Sequence, residues 1–184
     1  MAIDGASVLI VPGLWNSGPD HWQTRWEAAD PTFRRVEQAD WETPRCEDWV
    51  ATLDAAVAAA DPGVVLVAHS LGCATVAHWN ELSRRPIRGA LLVAPSDVDA
   101  PIYPPGTTGF APMPRGPLRF PSTVVTSLDD PWVSPERALE FALAWGSRLV
   151  EIGPVGHINS ASGLGDWPEG RRLLVELQAK PFTA

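Results

Sequence analysis

The 184 residues carry 14 Lys and Arg against 22 Asp and Glu, a net charge of −8 with no Lys/Arg run, which disfavours nucleic acid and, more weakly, anionic membrane surfaces as partners. The length suits one domain, 1–184, with its own buried core, and the two cysteines, Cys46 and Cys73, make neither a disulfide framework nor a metal-ligand pattern. The opening Met1-Ala2-Ile3-Asp4-Gly5 lacks a basic segment followed by an apolar one, and no apolar run reaches membrane-span length, so a cytoplasmic protein and no membrane association are expected.

Apolar runs alternate with stretches of helical period, the pattern of a mostly parallel α/β sheet with helices between its strands. Residues 7–11 read as the first strand, closed by Pro12-Gly13. Gly18-Pro19 opens a helix over about 20–29, with Trp22 and Trp26 one turn apart. Residues 34–38 read as a second strand whose charges suit a sheet edge. Trp49, Val50, Leu53, Ala56, Val57 and Ala60 recur at helical spacing, so 46–60 is an amphipathic helix ended by Asp61-Pro62-Gly63. Residues 64–68 form a central strand and 73–84 the helix after it; 90–94 form another strand, stopped by Pro95. The stretch 101–121 is rich in Pro and Gly and has no period, so it reads as a long irregular loop forming much of a pocket wall. Strand residues 123–127 follow, then a helix capped by Ser134 with Pro135 in its first turn, then a last strand over 148–152. Asp166-Trp167-Pro168-Glu169 reads as a capping box opening a final helix to about Ala179. About six strands result.

Ligands in such sheets bind beyond the carboxyl ends of the strands, so the polar residues just after each strand are the candidates. The central strand runs into Ala68-His69-Ser70-Leu71-Gly72 and then a helix, the setting of a G-x-S-x-G nucleophile elbow with Ala in the first small position. Read alone, Ser70 equally fits an ordinary N-cap. After the first strand, the turn Pro12-Gly13-Leu14-Trp15 can offer the Leu14 N–H to an oxyanion, beside the Leu71 N–H of the elbow. After 123–127 comes Asp129-Asp130, either of which can orient a histidine. After 148–152 comes Gly156-His157-Ile158-Asn159. Ser, Asp, His in that order, each at a strand end, is the α/β-hydrolase chain order. His69 reads as structural, and His21 and His78 fall on helices. No histidine pair has a zinc spacing, so no metal and no cofactor is expected. Cys73 reads as packing against the sheet, Trp22, Trp26, Trp49 and Trp145 as core, and Trp15 and Trp132 as walls of an acyl pocket.

These segments together resemble the small serine hydrolases related to retinoblastoma-binding protein 9, within the α/β-hydrolase superfamily. The resemblance runs through Val11-Pro12-Gly13-Leu14-Trp15, Ser17-Gly18, His21-Trp22-Gln23, Asp40-Trp41, Pro44 and Asp48-Trp49. It continues through His69-Ser70-Leu71-Gly72-Cys73, Ser127-Leu128-Asp129-Asp130-Pro131 and Gly156-His157-Ile158-Asn159. It implies a three-layer, minimal α/β-hydrolase fold without a cap domain, and esterase-type activity. It further implies Ser70 as nucleophile, His157 as general base and Asp130 rather than Asp129 as its partner. One departure stands out. The Leu-x-Cys-x-Glu pattern of retinoblastoma-protein binders is met here only as Leu71-Gly72-Cys73-Ala74-Thr75, with Thr in place of Glu, so no retinoblastoma-protein binding is expected.

The reading that results is acyl transfer from a small-molecule ester to water through an acyl-enzyme. A thioesterase or acyltransferase uses the same three groups. A binding or regulatory protein on a hydrolase scaffold is the alternative from another class.

Overall fold

The computed structural model describes residues 6–182; Met1–Gly5, read above for a leader, lies outside them. The strands are β1 (Val8–Val11), β2 (Phe33–Arg35), β3 (Val65–His69), β4 (Gly89–Val93), β5 (Ser122–Thr126) and β6 (Arg148–Glu151). The helices are α1 (Trp22–Ala29), α2 (Cys46–Ala59), α3 (Leu71–Leu82), α4 (Pro135–Trp145) and α5 (Pro168–Gln178), with a 3₁₀ turn at Ser160–Ser162. All six strands are parallel, in the order β2-β1-β3-β4-β5-β6. This is the three-layer α/β-hydrolase arrangement. Helices α2, α3 and α4 pack on one face with Leu9, Val11, Leu66, Ala68, Leu92 and Val124. Helices α1 and α5 pack on the other with Val8, Ile10, Val65, Val67, Leu91 and Val125. Because both faces are covered, consecutive residues of β3 up to Ala68, and of β4, are apolar and buried rather than alternating with polar ones.

The chain leaves β1 toward β2 on one side and returns through α2 to β3 on the other. The loops after β1 and β3 therefore diverge, and a crevice opens between them at the carboxyl ends. Register makes those ends level, since Val11 pairs with Ala68.

Several boundaries differ from the sequence reading, each for a physical reason. The second strand is Phe33–Arg35, starting one residue earlier and ending three sooner, and it does lie at a sheet edge. Helix α1 starts at Trp22, with His21 rather than a residue near Asp20 as its cap; the His21 Nδ1 accepts the Gln23 N–H. No capping box opens α5. Its N-cap is Trp167, left-handed at φ 41° with no side-chain cap bond. The Trp167 indole is instead buried between Trp22 and Trp26, with ring centroids 4.9 and 5.9 Å away. Burying a large aromatic side chain is worth about 2–3 kcal/mol, which exceeds the ~1 kcal/mol of a cap bond. Gly170 makes room for that ring, since a Cβ there would lie 2.2 Å from the Trp167 Cε3.

The 101–121 stretch is not mainly a pocket wall. Its Phe110 and Met113 are buried in the core, and Thr108 exchanges backbone bonds with Pro44 and Cys46 at the start of α2. The Trp145 indole N–H donates to the Pro114 carbonyl at 2.8 Å. Tyr103 and Pro104 alone from this stretch reach the crevice. It is chiefly a strap over α2, α3 and α4.

Candidate active site

Ser70 stands between β3 and α3 with φ 55° and ψ −123°, a conformation an L-residue holds only when its surroundings impose it. Those surroundings are the β1 loop. A Cβ on Gly72 would lie 2.3 Å from the Val11 carbonyl oxygen, and one on Gly13 would lie 2.7 Å from the Ser70 Cβ. Both glycines exist so that the two backbones can touch. The same approach places Gly13 against the Leu71 nitrogen, 3.1 Å from where its Cβ would be. The N–H groups of Leu14 and Leu71 make no backbone hydrogen bond among the described residues, and Leu14 borders the crevice.

His157 reaches Ser70 from the loop after β6. Its Nε2 is 2.8 Å from the Ser70 Oγ, and its Nδ1 is 2.9 and 2.8 Å from the two Asp130 oxygens. Asp130 also accepts the Trp132 N–H at 2.8 Å, which fixes the carboxylate. Asp129 faces away. It binds the Gly156 N–H and the Ser127 hydroxyl, and the Gly156 bond, above all, lowers its pKa. The adjacent carboxylates thus divide the work: Asp130 meets the imidazole and Asp129 shapes the loop that carries it. That loop is pinned twice more. The Trp22 indole donates to the Ile158 carbonyl at 2.7 Å, and the His69 Nε2–H donates to the His157 carbonyl at 2.8 Å.

A crevice of about 320 Å³ lies over Ser70 and His157. Trp15 and Trp132 both border it. Trp15 is 60% exposed at the mouth, left-handed at φ 65°, and its N–H is held by the Trp41 carbonyl at 2.9 Å. Behind it Arg35 donates to the Asn16 side chain and the Ser17 carbonyl while paired with Glu27, which keeps the loop in shape. Cys73 and Leu71 are fully buried in α3, so the Leu71–Thr75 segment presents no surface of its own there. Among the described residues no helix is long and apolar enough to cross a membrane, and no His/Cys/Asp/Glu cluster is arranged for a metal.

Sequence reasoning missed two residues here. Ser96, buried just past β4, has its Oγ 2.7 Å from the Ser70 Oγ. The rule that picks polar residues after strands finds it once Pro95 is not taken as the end of interest. His21 lines the crevice rather than simply belonging to a helix, and its ring, His69 and His157 stand in a row with centroids 4.7 and 4.9 Å apart. No periodicity signals that.

Burial keeps the first two of these histidines neutral. Desolvation, then Arg35 and His157, push the His21 pKa down to about 3; desolvation, then His21 and His157, hold His69 well below 6.5. The unfolded chain binds these protons below about pH 6.5 while the folded protein does not. Folding stability is therefore complete above that pH and falls as pH drops toward 3. Urea unfolding at pH 7 and pH 5, above the carboxylate range, is expected to show a loss of up to about 2 kcal/mol per histidine at pH 5. Identical midpoints would contradict the buried neutral pair.

A family model for serine hydrolases matches residues 8–176. A YdeN-like hydrolase from Pectobacterium atrosepticum is 32% identical, with 94% of this chain and 90% of that one covered and a TM-score of 0.84. The ydeN gene product of B. subtilis is 21% identical, with 95% and 100% covered and a TM-score of 0.77. An N-formylmaleamic acid deformylase from Pseudomonas putida S16 shares the fold at 14% identity, with 93% and 92% covered and a TM-score of 0.68. No curated protein sequence matches the chain. With its family model spanning nearly the whole sheet and its helices, the chain belongs to the serine hydrolase family and is a hydrolase of the α/β-hydrolase superfamily.

Proposed function

We propose that this hydrolase cleaves ester-type acyl bonds of small molecules, with Ser70 as nucleophile, His157 as general base and Asp130 as its partner. The observation that carries the reading is the unbroken line of contacts Ser70 Oγ–His157 Nε2 and His157 Nδ1–Asp130, all within 2.9 Å. Asp130 holds the proton on Nδ1 and leaves Nε2 free to accept the Ser70 proton as Oγ attacks the carbonyl carbon. The carbonyl π electrons move onto oxygen, which the Leu14 and Leu71 N–H groups receive; one such donor is worth about 3 kcal/mol in the transition state. Collapse breaks the bond to the alkoxide, which takes the proton from His157 Nε2. Water then repeats the sequence on the acyl-enzyme, with His157 again as base. Trp15 and Trp132 form apolar walls for the acyl chain.

The test is a fluorophosphonate probe with mass mapping of the adduct. Labelling of the tryptic peptide carrying Ser70, together with turnover of short p-nitrophenyl esters, is expected. An unlabelled protein, or an adduct elsewhere, sinks the assignment and favours a binding protein on a hydrolase scaffold.

Ser96 has a defined place in this scheme. Since the Ser70 proton goes to His157, Ser96 is the donor in the 2.7 Å contact, and its hydroxyl meets the charge that grows on Ser70 Oγ. Ser96→Ala is expected to lower kcat by roughly tenfold or more with little change in KM, and Ser96→Thr to keep most of it. An unchanged kcat in Ser96→Ala would remove the residue from the mechanism.

A further inference from the structure

His21 is 4% exposed and its ring lines the crevice over Ser70. Its Nδ1 accepts the Gln23 N–H at 3.1 Å, the cap bond of α1. A neutral imidazole then carries its single proton on the other nitrogen, so Nε2 is a donor. That nitrogen is buried and has no hydrogen-bond partner. Buried N–H groups without an acceptor are uncommon, because each gives up its hydration for nothing. Turning the ring over does not help, since it surrenders the cap. Ionisation does not help either: burial, Arg35 and His157 all oppose a second proton. No hydrogen bond joins Nε2 to His69, whose ring meets that of His21 edge to face with centroids 4.7 Å apart.

On the serine hydrolase reading above, we infer that His21 Nε2–H is a substrate-binding donor that receives a neutral oxygen (ether, ketone, hydroxyl or amide) carried a few bonds from the scissile carbonyl. Three observations select that class. The unused group is a donor, so its complement is an acceptor. No lysine or arginine lines the crevice, and Arg35, whose charge reaches His21, is already paired with Glu27, so a carboxylate seated there would lose its hydration with no free cation in return. The row His21–His69–His157 puts this donor on the same wall as the proposed base, within the length of a short substrate. The rest of the crevice sets apolar walls from Trp15, Tyr103, Pro104 and Trp132 beside the polar side chains of Asn16, Asn159 and Ser160. A plain alkyl chain fills such walls but leaves the His21 proton bare, whereas an oxygenated chain of the same length satisfies it. The enzyme therefore discriminates by one buried hydrogen bond, not by size.

The experiment pairs isosteric esters with one leaving group: p-nitrophenyl pentanoate against 3-methoxypropanoate and 4-oxopentanoate, plus hemisuccinate as the carboxylate member. A second set moves the ether oxygen into the alcohol part. Each kcat/KM is divided by the hydroxide-catalysed rate of the same ester. The wild type is expected to favour an oxygenated neutral member over its alkyl isostere by about tenfold, the worth of one good neutral hydrogen bond. His21→Asn keeps a cap for α1, because Asn accepts the Gln23 N–H equally well, but has no group at the Nε2 position. It is expected to lose the preference. Equal normalised rates across all pairs, a preference that survives in His21→Asn, or a preference for the carboxylate would each overturn the inference. If His21→Asn does not fold, ¹⁵N-edited NMR of the wild-type imidazoles replaces it. The His21 Nε2 proton should shift downfield when Ser70 is blocked by a phosphonate bearing the oxygenated chain but not by the alkyl one; equal spectra overturn the inference. Fluorophosphonate labelling of wild type separates the two levels. A protein that labels at Ser70 yet shows no oxygen preference loses only the His21 role, whereas one that does not label loses the reading beneath it.

Discussion

Ser70→Ala is expected to lower kcat/KM for ester hydrolysis by at least about 10⁴-fold and to abolish fluorophosphonate labelling. The reason is geometric. Among the described residues, Ser70 Oγ is the one group that touches the His157 Nε2, Ser96 and the crevice together. Without it the imidazole, the proposed base, has nothing to deprotonate except water. The groups of the line act as a unit, so their losses do not add. Ser70→Ala/His157→Ala is accordingly expected to be no slower than Ser70→Ala alone. A double variant slower by the product of the two single effects would show that the groups work independently and would break the proposed line. On the proposed scheme, the residual rate measures what the Leu14 and Leu71 N–H groups still contribute.

Gly72→Ala is expected to be the most damaging single-methyl change. Its Cβ would sit 2.3 Å from the Val11 carbonyl oxygen and 2.8 Å from that of Pro12, both backbone atoms that no rotamer change can move. Relief requires β1 and the start of α3 to separate, at a cost of about 3 kcal/mol or more. That separation also pulls Leu14 away from Leu71, so ester turnover should fall together with stability. Gly18→Ala is the control, since a Cβ there meets nothing within 4 Å. The urea midpoint of Gly72→Ala should lie well below wild type while Gly18→Ala stays near it. Equal midpoints for the two variants would refute the close-approach account of the elbow.

Much of this site was legible because each of its parts stands at a strand end. Ser70, Asp130 and His157 follow β3, β5 and β6, and the glycine at 72 marks where backbone crosses backbone. The helices with apolar stripes, α2 and α4, were legible for the same reason: their period is their burial. What escaped has no local signature. The choice between Asp129 and Asp130 turns on which way a short turn points its two carboxylates. Residue neighbours offer no clue to it, and only the family resemblance favoured Asp130. Ser96 does stand just past β4, but nothing ties it to Ser70 until β4 and β3 are laid side by side. Trp167 opens α5 in a left-handed conformation because Trp22 and Trp26 of α1, 145 and 141 residues earlier, enclose its ring, and no local pattern announces that. The 101–121 strap has no period, yet it contributes Phe110 and Met113 to the core.

The indole that pins the histidine loop has a consequence for how this molecule fails. Trp22 is 1% exposed, and its N–H holds the Ile158 carbonyl beside His157. The loop cannot fray on its own, because releasing it strands a buried donor in the interior. Loss of His157 from its position and loss of the α1 face of the core are thus one cooperative event. Heat or denaturant should leave a population of fully competent and fully collapsed molecules, with no partly active species between them.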